Sequence, residues 1–288
     1  MLRFSRVTAV AACVLGTLAS FPDSASAQPI EQIFFPGKGH LKLSGEIRRP
    51  DGTGPFPAVI MMPGCKGIGG GEQPAMARAA KSLSDSGYVV LVFDSHVSRS
   101  VISNCADPAL VCTPEAQQPP GKRSPTIPER TDDAFWARRY LASLPLVDAS
   151  RIGLVGWDHG GAAALLAWER NTPVKGVLPF AAVAAYYPCC SLGPPPGNVP
   201  DQAASAPLLI FAAERDDASP AGLCRTFAAE AVERRHRDVS LTVYPGALHQ
   251  FDGDYEGDYN GHKLGPDPAA AQDSLERLLA YLDRLLKR

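Results

Sequence analysis

The stretch GLVGWDHGG, residues 153–161, decides how the rest of the chain is interpreted. The apolar run that ends in it, RIGLVGW, is typical of a buried strand, and the alanine-rich GGAAALLAW that follows is typical of a helix. Between them, GWDHG (156–160) matches the sharp strand-to-helix turn G-x-S-x-G, with aspartate where that motif has serine. The stretch therefore predicts an α/β sheet that presents Asp158 at the carboxyl end of a strand.

Apolar runs alternate with helical patterns along the rest of the chain, which predicts a parallel sheet covered by helices on both faces. We predict strands in 40–50, 57–65, 88–96, 151–157, 174–188, 206–216 and 239–251. We predict helices in 74–87, 126–145, 160–171, 220–237 and 267–288. Two proline-rich stretches, 98–128 and 188–205, break this alternation and are expected to be loops.

The first 27 residues have the pattern of a secretory signal peptide. Arg3 and Arg6 precede the short apolar run VTAVAACVLGTLA, and Ala25-Ser26-Ala27 offers small residues for cleavage. The run is too short for a transmembrane helix, so we expect a secreted or periplasmic protein without a membrane anchor. The remaining residues, 28–288, have the length and composition of one globular domain.

Charge and cysteine content narrow the possible partners. The formal net charge of the chain is -2 with no basic stripe, so we expect no nucleic-acid partner. Six of the seven cysteines remain after the signal segment, and an even set in an exported protein favours disulfides over metal ligation. The pairs expected are Cys105 with Cys112, and Cys224 with Cys190 or Cys189.

Polar residues follow three of the predicted strands, at the edge where an α/β sheet places its ligand site. Asp158 follows RIGLVGW, Asp216 and Asp217 follow PLLIFAAER, and His249 follows the strand that ends near YPGAL. Their order along the chain, with nucleophile position, acid and histidine, is the order of an α/β-hydrolase triad. We therefore predict that Asp158, one of the two aspartates Asp216 and Asp217, and His249 meet in one catalytic site.

Several segments resemble the dienelactone hydrolase family of the α/β-hydrolase superfamily. They are MMPGCKGIGG, GYVVLVFDSH, IGLVGWDHGG, AAERDDASP, YPGALHQFD and AAAQDSLERLLAYL. The resemblance implies an α/β-hydrolase fold, with a mostly parallel central sheet flanked by helices on both faces, as a single domain over 28–288. It also implies a small-molecule ester or lactone substrate and no cofactor or metal.

The resemblance assigns roles to individual residues. The family's acid stands four residues before a proline, which selects Asp216 and leaves Asp217 as its neighbour at the mouth of the site. The family's histidine corresponds to His249. The oxyanion donors correspond to the backbone N–H groups of Cys65 and His159. Asp158 stands where the family has cysteine or serine.

This aspartate leaves three interpretations open. Ester or lactone hydrolysis is reduced or altered, because a carboxylate attacks acyl carbon poorly and yields a reactive anhydride. Alternatively, Asp158 attacks the saturated carbon of an alkyl halide or epoxide, as in other branches of the superfamily. Against this, the loop after AAYYP has no room for a cap, and neither His159 nor the turn MPGCKG matches those branches. The third interpretation is a catalytically silent binding protein.

Overall fold

The computed structural model of the protein describes residues 29–69, 73–101, 125–170, 176–192, 206–233, 238–259 and 261–288. The predicted signal segment, 1–27, and the predicted Cys105–Cys112 pair lie outside these residues.

A large, mostly parallel sheet forms the centre of the protein. Its strands are β1 (Glu31–Pro36), β2 (Lys42–Arg48), β3 (Phe56–Met62), β4 (Val89–Asp94), β5 (Val147–Trp157), β6 (Ala182–Tyr186), β7 (Leu208–Ala213) and β8 (Val239–Tyr244). The sheet has eight strands in the order β1-β2-β4-β3-β5-β6-β7-β8. The pairs β1–β2 and β2–β4 are antiparallel, and every other pairing is parallel.

Helices cover both faces of this sheet. They are α1 (Gln73–Asp85), α2 (Ile127–Ala142), α3 (His159–Glu169), α4 (Ala221–Glu233) and α5 (Pro268–Leu286). One apolar cluster joins the sheet to Phe135 of α2 and Phe227 of α4, and a second joins the other face to Met76 of α1 and Leu282 of α5. With both faces covered, β4, β6 and β7 are buried at every residue, as parallel strands usually are. The α/β-hydrolase architecture predicted from the sequence is confirmed.

Two parts of the fold were missed by the sequence prediction. The first is β1, whose residues EQIFFP have only two buried apolar side chains, at Ile33 and Phe35, and therefore a weak strand signal. The second is a short antiparallel hairpin of β9 (Gly257–Tyr259) and β10 (His262–Leu264), inserted between β8 and α5. Three-residue strands give too little alternation to be recognised in a sequence.

The disulfide pattern agrees in part with the prediction. Cys190, in the segment that follows β6, is bonded to Cys224 of α4, which is one of the two pairings expected for Cys224. Cys65 and Cys189 are also disulfide-bonded. The Cys65 side chain therefore carries no free thiol. In the part of the chain that the structure describes, no helix combines the length and apolar character needed to cross a bilayer.

Two glycines allow the turn between β5 and α3 to pack closely. A Cβ built on Gly156 would lie 2.1 Å from the carbonyl oxygen of Gly160. A Cβ built on Gly160 would lie 2.4 Å from the carbonyl oxygens of both Met62 and Pro63 at the end of β3. Backbone atoms cannot move aside as a flexible side chain can, so both positions require glycine. The start of α3 is thereby fixed against the end of β3.

We expect Gly160→Ala to lower the free energy of unfolding by about 1–3 kcal/mol, because its new methyl group overlaps two backbone carbonyls. Gly222→Ala is the matched control: Gly222 lies in α4 with nothing within 4 Å of an added Cβ. That change should be neutral or stabilise by up to about 1 kcal/mol. Urea unfolding followed by circular dichroism measures both. Equal effects of the two substitutions would contradict the close packing of the turn.

Candidate active site

Asp158 occupies the turn between β5 and α3 in an unusual backbone conformation. Its φ is 52° and its ψ is -118°, a combination that non-glycine residues rarely adopt. The turn is held on both sides, because the N–H of Asp158 donates to the Tyr186 carbonyl at 3.0 Å and its carbonyl accepts from the N–H of Ala162 at 2.9 Å. This geometry presents the Asp158 side chain at the carboxyl edge of the sheet, as predicted from the G-x-S-x-G pattern.

The Asp158 carboxylate is buried between two groups. Its Oδ2 accepts a hydrogen bond from the backbone N–H of Cys65 at 3.1 Å, across the end of β3. Its Oδ1 lies 3.7 Å from Nε2 of His249. The carboxylate therefore bridges one predicted oxyanion donor and the predicted catalytic histidine.

Asp216 is held more tightly than Asp158. It follows β7 and is buried, and its Oδ1 accepts the backbone N–H groups of Ala218 at 2.9 Å and Ser219 at 2.7 Å. Its Oδ2 lies 2.7 Å from Nδ1 of His249. The two backbone donors fix the carboxylate, so it can fix the imidazole in turn.

His249 lies in the loop after β8 with carboxylates on both ring nitrogens. Its backbone forms a parallel bridge to Leu264 of the hairpin, and its carbonyl accepts from the N–H of Gly265 at 3.4 Å. Its ring contacts the Tyr187 ring edge to face, with centroids 4.7 Å apart. The structure thus brings together the predicted residues Asp158, Asp216 and His249.

Asp217, the neighbour expected at the mouth of the site, turns away from the histidine. Its side chain is exposed, and its Oδ1 lies 3.1 Å from Nδ1 of His262 on β10. Lys66, which follows the Cys65 turn, places its ammonium 3.7 Å from the centre of the Tyr259 ring on β9. The hairpin therefore contacts both the acid loop and the oxyanion turn.

His159, the other predicted oxyanion residue, is the first residue of α3, so its N–H is one that has no acceptor within the helix. Its side chain was given no role by the sequence. Nδ1 lies 2.8 Å from Nη1 of Arg130 on α2. Burial, and then the charge of Arg130, hold the pKa of His159 well below that of a free histidine. A neutral His159 accepts at Nδ1 and carries its proton on Nε2.

A buried carboxylate that the sequence analysis did not assign supports the other side of the site. Asp252 accepts hydrogen bonds from Trp157 Nε1 and from the Tyr187 hydroxyl, each at 2.8 Å. Burial raises the pKa of Asp252, and these two hydrogen bonds oppose that rise. The carboxylate thereby fixes the residue before Asp158 and the ring that packs on His249. Its position three residues after His249 was the only available signal.

Asp94 orders the oxyanion turn from beneath. Its carboxylate, at the end of β4, accepts the N–H of Ile68 at 3.1 Å and contacts Gly67, whose φ of 66° favours glycine. Burial would raise the pKa of Asp94, but hydrogen bonds from His96 and Ile68 outweigh it and hold that pKa below its usual range. His96 is itself buried, and burial lowers its pKa.

The arrangement of Asp216 and His249 can transfer a proton between Nε2 of His249 and a group at position 158. Asp216 orients His249, and Nε2 of His249 faces whichever group stands at position 158. The Cys65 N–H points at the same place. Within the described ranges, no group of three His, Cys, Asp or Glu side chains is placed to hold a metal ion.

The sharp turn after β5, the acid after β7 and the histidine after β8 define an α/β-hydrolase-fold protein. The sequence matches the dienelactone hydrolase family over residues 43–286. The chain belongs to that family.

Individual relatives agree with this assignment. A Bradyrhizobium protein named "Probable 2-oxo-3-(5-oxofuran-2-ylidene)propanoate lactonase" is 27% identical over 82% of this chain and 87% of its own length. A Yersinia pestis "Putative carboxymethylenebutenolidase" is 24% identical over 83% of each chain. Among solved structures, a dienelactone hydrolase-like promiscuous phosphotriesterase from metagenomic libraries superposes with a TM-score of 0.70 at 18% identity, covering 90% of this chain and 99% of its own.

Acid is expected to destabilise the protein through His96 and His159, whose pKa values in the folded state lie below the free value of 6.5. Below that pH the unfolded chain binds more protons than the folded one, so the free energy of unfolding falls as the pH falls. His96→Phe and His159→Gln should each reduce this loss by up to about 1.4 kcal/mol per pH unit.

Urea unfolding at about pH 7.5 and about pH 5.5 measures the effect for the unchanged protein and each variant. His40→Gln is the control, because His40 is exposed. If all four proteins lose equal stability between the two pH values, His96 and His159 do not remain neutral in the folded state.

Proposed function

We propose that this protein is an exported hydrolase of small-molecule esters or lactones whose ester activity is weakened by Asp158. In this proposal His249 is the general base, Asp216 orients it, and the N–H groups of Cys65 and His159 stabilise the oxyanion. The observation that carries the proposal is the Asp158 carboxylate, which lies 3.1 Å from the Cys65 nitrogen and 3.7 Å from Nε2 of His249. The Cys65 N–H and the His249 imidazole both lie beside residue 158, which supports their proposed roles around a serine or cysteine at that position.

Substrate class and location rest on separate arguments. The family is one of hydrolases, and the names of the Bradyrhizobium and Yersinia relatives support a small ester or lactone as substrate. The basic, apolar and small-residue pattern of residues 1–27 supports export to the periplasm or the medium.

Electrostatics explains why Asp158 would weaken ester hydrolysis. A tetrahedral intermediate needs the Cys65 N–H, which already donates to Oδ2 of Asp158. Two unit negative charges about 4 Å apart repel by about 4 kcal/mol at an effective dielectric constant of about 20. A penalty of that size slows a reaction by about 10³-fold. A serine at position 158 removes the charge and supplies a hydroxyl that His249 can deprotonate.

We expect Asp158→Ser to hydrolyse p-nitrophenyl acetate with a kcat/KM at least about 10²-fold above that of the unchanged protein. Asp158→Asn is the matched control, because it removes the charge without supplying a nucleophile. Adding His249→Gln to Asp158→Ser should abolish the gain. If the serine variant is no faster than the asparagine variant, the proposed ester hydrolase machinery is absent.

The same geometry favours a second candidate, in which Asp158 is itself the nucleophile toward a saturated carbon. Attack by Oδ1 forms an ester to Asp158 while the halide, or the epoxide oxygen, leaves with the bonding electron pair. The carbonyl oxygen of that ester would be Oδ2, which already accepts the Cys65 N–H. With an epoxide, the alkoxide that forms takes a proton from solvent. A water deprotonated by His249 then adds to the Asp158 carboxyl carbon and releases the alcohol from a halide substrate or the diol from an epoxide.

Trapping the ester tests this second candidate. We expect the Asp158 peptide of His249→Gln to gain one alkyl group from a 1-bromoalkane, or the mass of one whole epoxide, as a hydroxyalkyl ester, from a styrene-type epoxide. The ester accumulates because the variant cannot activate the hydrolytic water. Asp158→Asn under the same conditions should stay unmodified. An unmodified His249→Gln protein, or alkylation elsewhere on the chain, would rule out the carboxylate route.

A further inference from the structure

Arg130 occupies a position that is unfavourable for a cation on two counts. It lies in the first turn of α2, where the helix dipole favours negative charge. Its side chain is also completely buried, which costs several kcal/mol of lost hydration for an ion. Its contacts must compensate for both effects.

The guanidinium joins the two segments that carry the predicted oxyanion donors. Nη1 donates to the Gly64 carbonyl at 3.2 Å, and Nη2 donates to the Pro63 carbonyl. Nη1 also lies 2.8 Å from Nδ1 of His159. Pro63 and Gly64 form the turn that leads to Cys65, and His159 begins α3. One side chain thus contacts both sides of the oxyanion hole.

The contact with Gly64 matters most, because the Gly64 carbonyl and the Cys65 N–H belong to the same peptide group. That group is planar and trans, so its carbonyl and its N–H point in opposite directions. Arg130 donates to the Gly64 oxygen on one side of this peptide. On the opposite side, the Cys65 N–H donates to Oδ2 of Asp158 at 3.1 Å. Hydrogen bonds in series polarise one another, so a cation on the oxygen strengthens the N–H as a donor.

Two ionisable side chains near Arg130, Asp133 and His159, determine the charge around its guanidinium. Asp133, one turn further along α2, is a buried carboxylate that Arg99 binds through two hydrogen bonds of 2.7 and 3.1 Å. Burial raises the pKa of Asp133; the hydrogen bonds and charge of Arg99, and then the charge of Arg130, oppose that rise. His159 is neutral, so it adds no second positive charge beside Arg130.

We propose that Arg130 is a positioning residue for the oxyanion hole, which fixes and polarises the Gly64–Cys65 peptide from the side opposite the substrate. It also sets the tautomer of His159 and so the start of α3. It does not touch the reacting atoms, and it acts through the Cys65 N–H. This role rests on the proposed hydrolase function.

The kinetic test uses the Asp158→Ser background. Adding Arg130→Lys keeps a cation but loses the planar fork that reaches two carbonyls at once. We expect kcat for p-nitrophenyl acetate to fall about 10- to 100-fold while KM changes less than about threefold, because the contact strengthens only as the oxyanion forms. Inhibition by a trifluoromethyl ketone, which forms an oxyanion in the hole, should weaken in parallel.

Arg138 provides a matched control on the same helix. It is also a buried arginine, but its Nη2 donates to the Ala149 carbonyl instead of the oxyanion turn. Arg138→Lys should cost comparable stability and leave both kcat and KM within about twofold. If the two lysine variants lose kcat equally, or if both lose it only in proportion to unfolding, Arg130 is a structural residue and the proposal is wrong.

Two measurements need no turnover. In ¹⁵N spectra of the unchanged protein, His159 should stay in the Nε2–H tautomer from about pH 5 to about pH 8. In Arg130→Lys, the Cys65 amide proton should move upfield and exchange faster, whereas Arg138→Lys should leave it unchanged. The proposal is overturned if His159 is protonated on Nδ1, or if Arg130→Lys changes neither the chemical shift nor the exchange rate of the Cys65 amide proton. If Asp158→Ser is inactive while both spectra behave as expected, the hydrolase assignment fails and the positioning of the peptide stands.

Discussion

The backbone conformation of Asp158 is the constraint on which the rest of the site depends. A non-glycine residue in such a region costs about 1–3 kcal/mol, so the surrounding structure must over-determine it. Here the turn is tied to Tyr186 and Ala162 by backbone hydrogen bonds. Trp157, just before the turn, is stacked on the Tyr186 ring with centroids 4.8 Å apart. The same backbone conformation directs the Asp158 side chain away from the end of β5 and toward His249.

The two carboxylates that flank His249 differ in how many hydrogen bonds fix them, and this difference separates their roles. Asp216 receives two backbone N–H groups and one imidazole nitrogen, all within hydrogen-bond distance. Asp158 receives the Cys65 N–H, while His249 stands at 3.7 Å, beyond a normal hydrogen bond. Asp216 is therefore fixed as an orienting group, and Asp158 keeps one oxygen that is less firmly bound.

The sequence predicted those parts of the fold and site that local patterns encode. Continuous apolar runs identified the buried parallel strands, and the positions of Asp158, Asp216 and His249 at strand ends predicted that their side chains lie close together, as they do. Arg130 and Asp252 were not found, because the bonds from Arg130 to Pro63 and from Trp157 to Asp252 each join residues more than sixty positions apart, and no motif marks either residue. Arg130 did leave one trace, a cation at a helix N-terminus, where the dipole disfavours it. The hairpin of β9 and β10 was missed because its strands are too short to show a period.

The acid–histidine pair and the oxyanion side of the site differ in the chain entropy that is lost when each is assembled. Asp216 and His249 are 33 residues apart and lie at the ends of neighbouring strands joined by one helix, so a single β-α-β unit brings them together. Cys65 and Asp158 are 93 residues apart, although β3 and β5 are also neighbours. Closing the longer loop costs roughly 1 kcal/mol more chain entropy, at about 0.6 kcal/mol per doubling of loop length. The acid–histidine pair is thus a local product of chain folding, whereas the oxyanion side exists only once the centre of the sheet has closed.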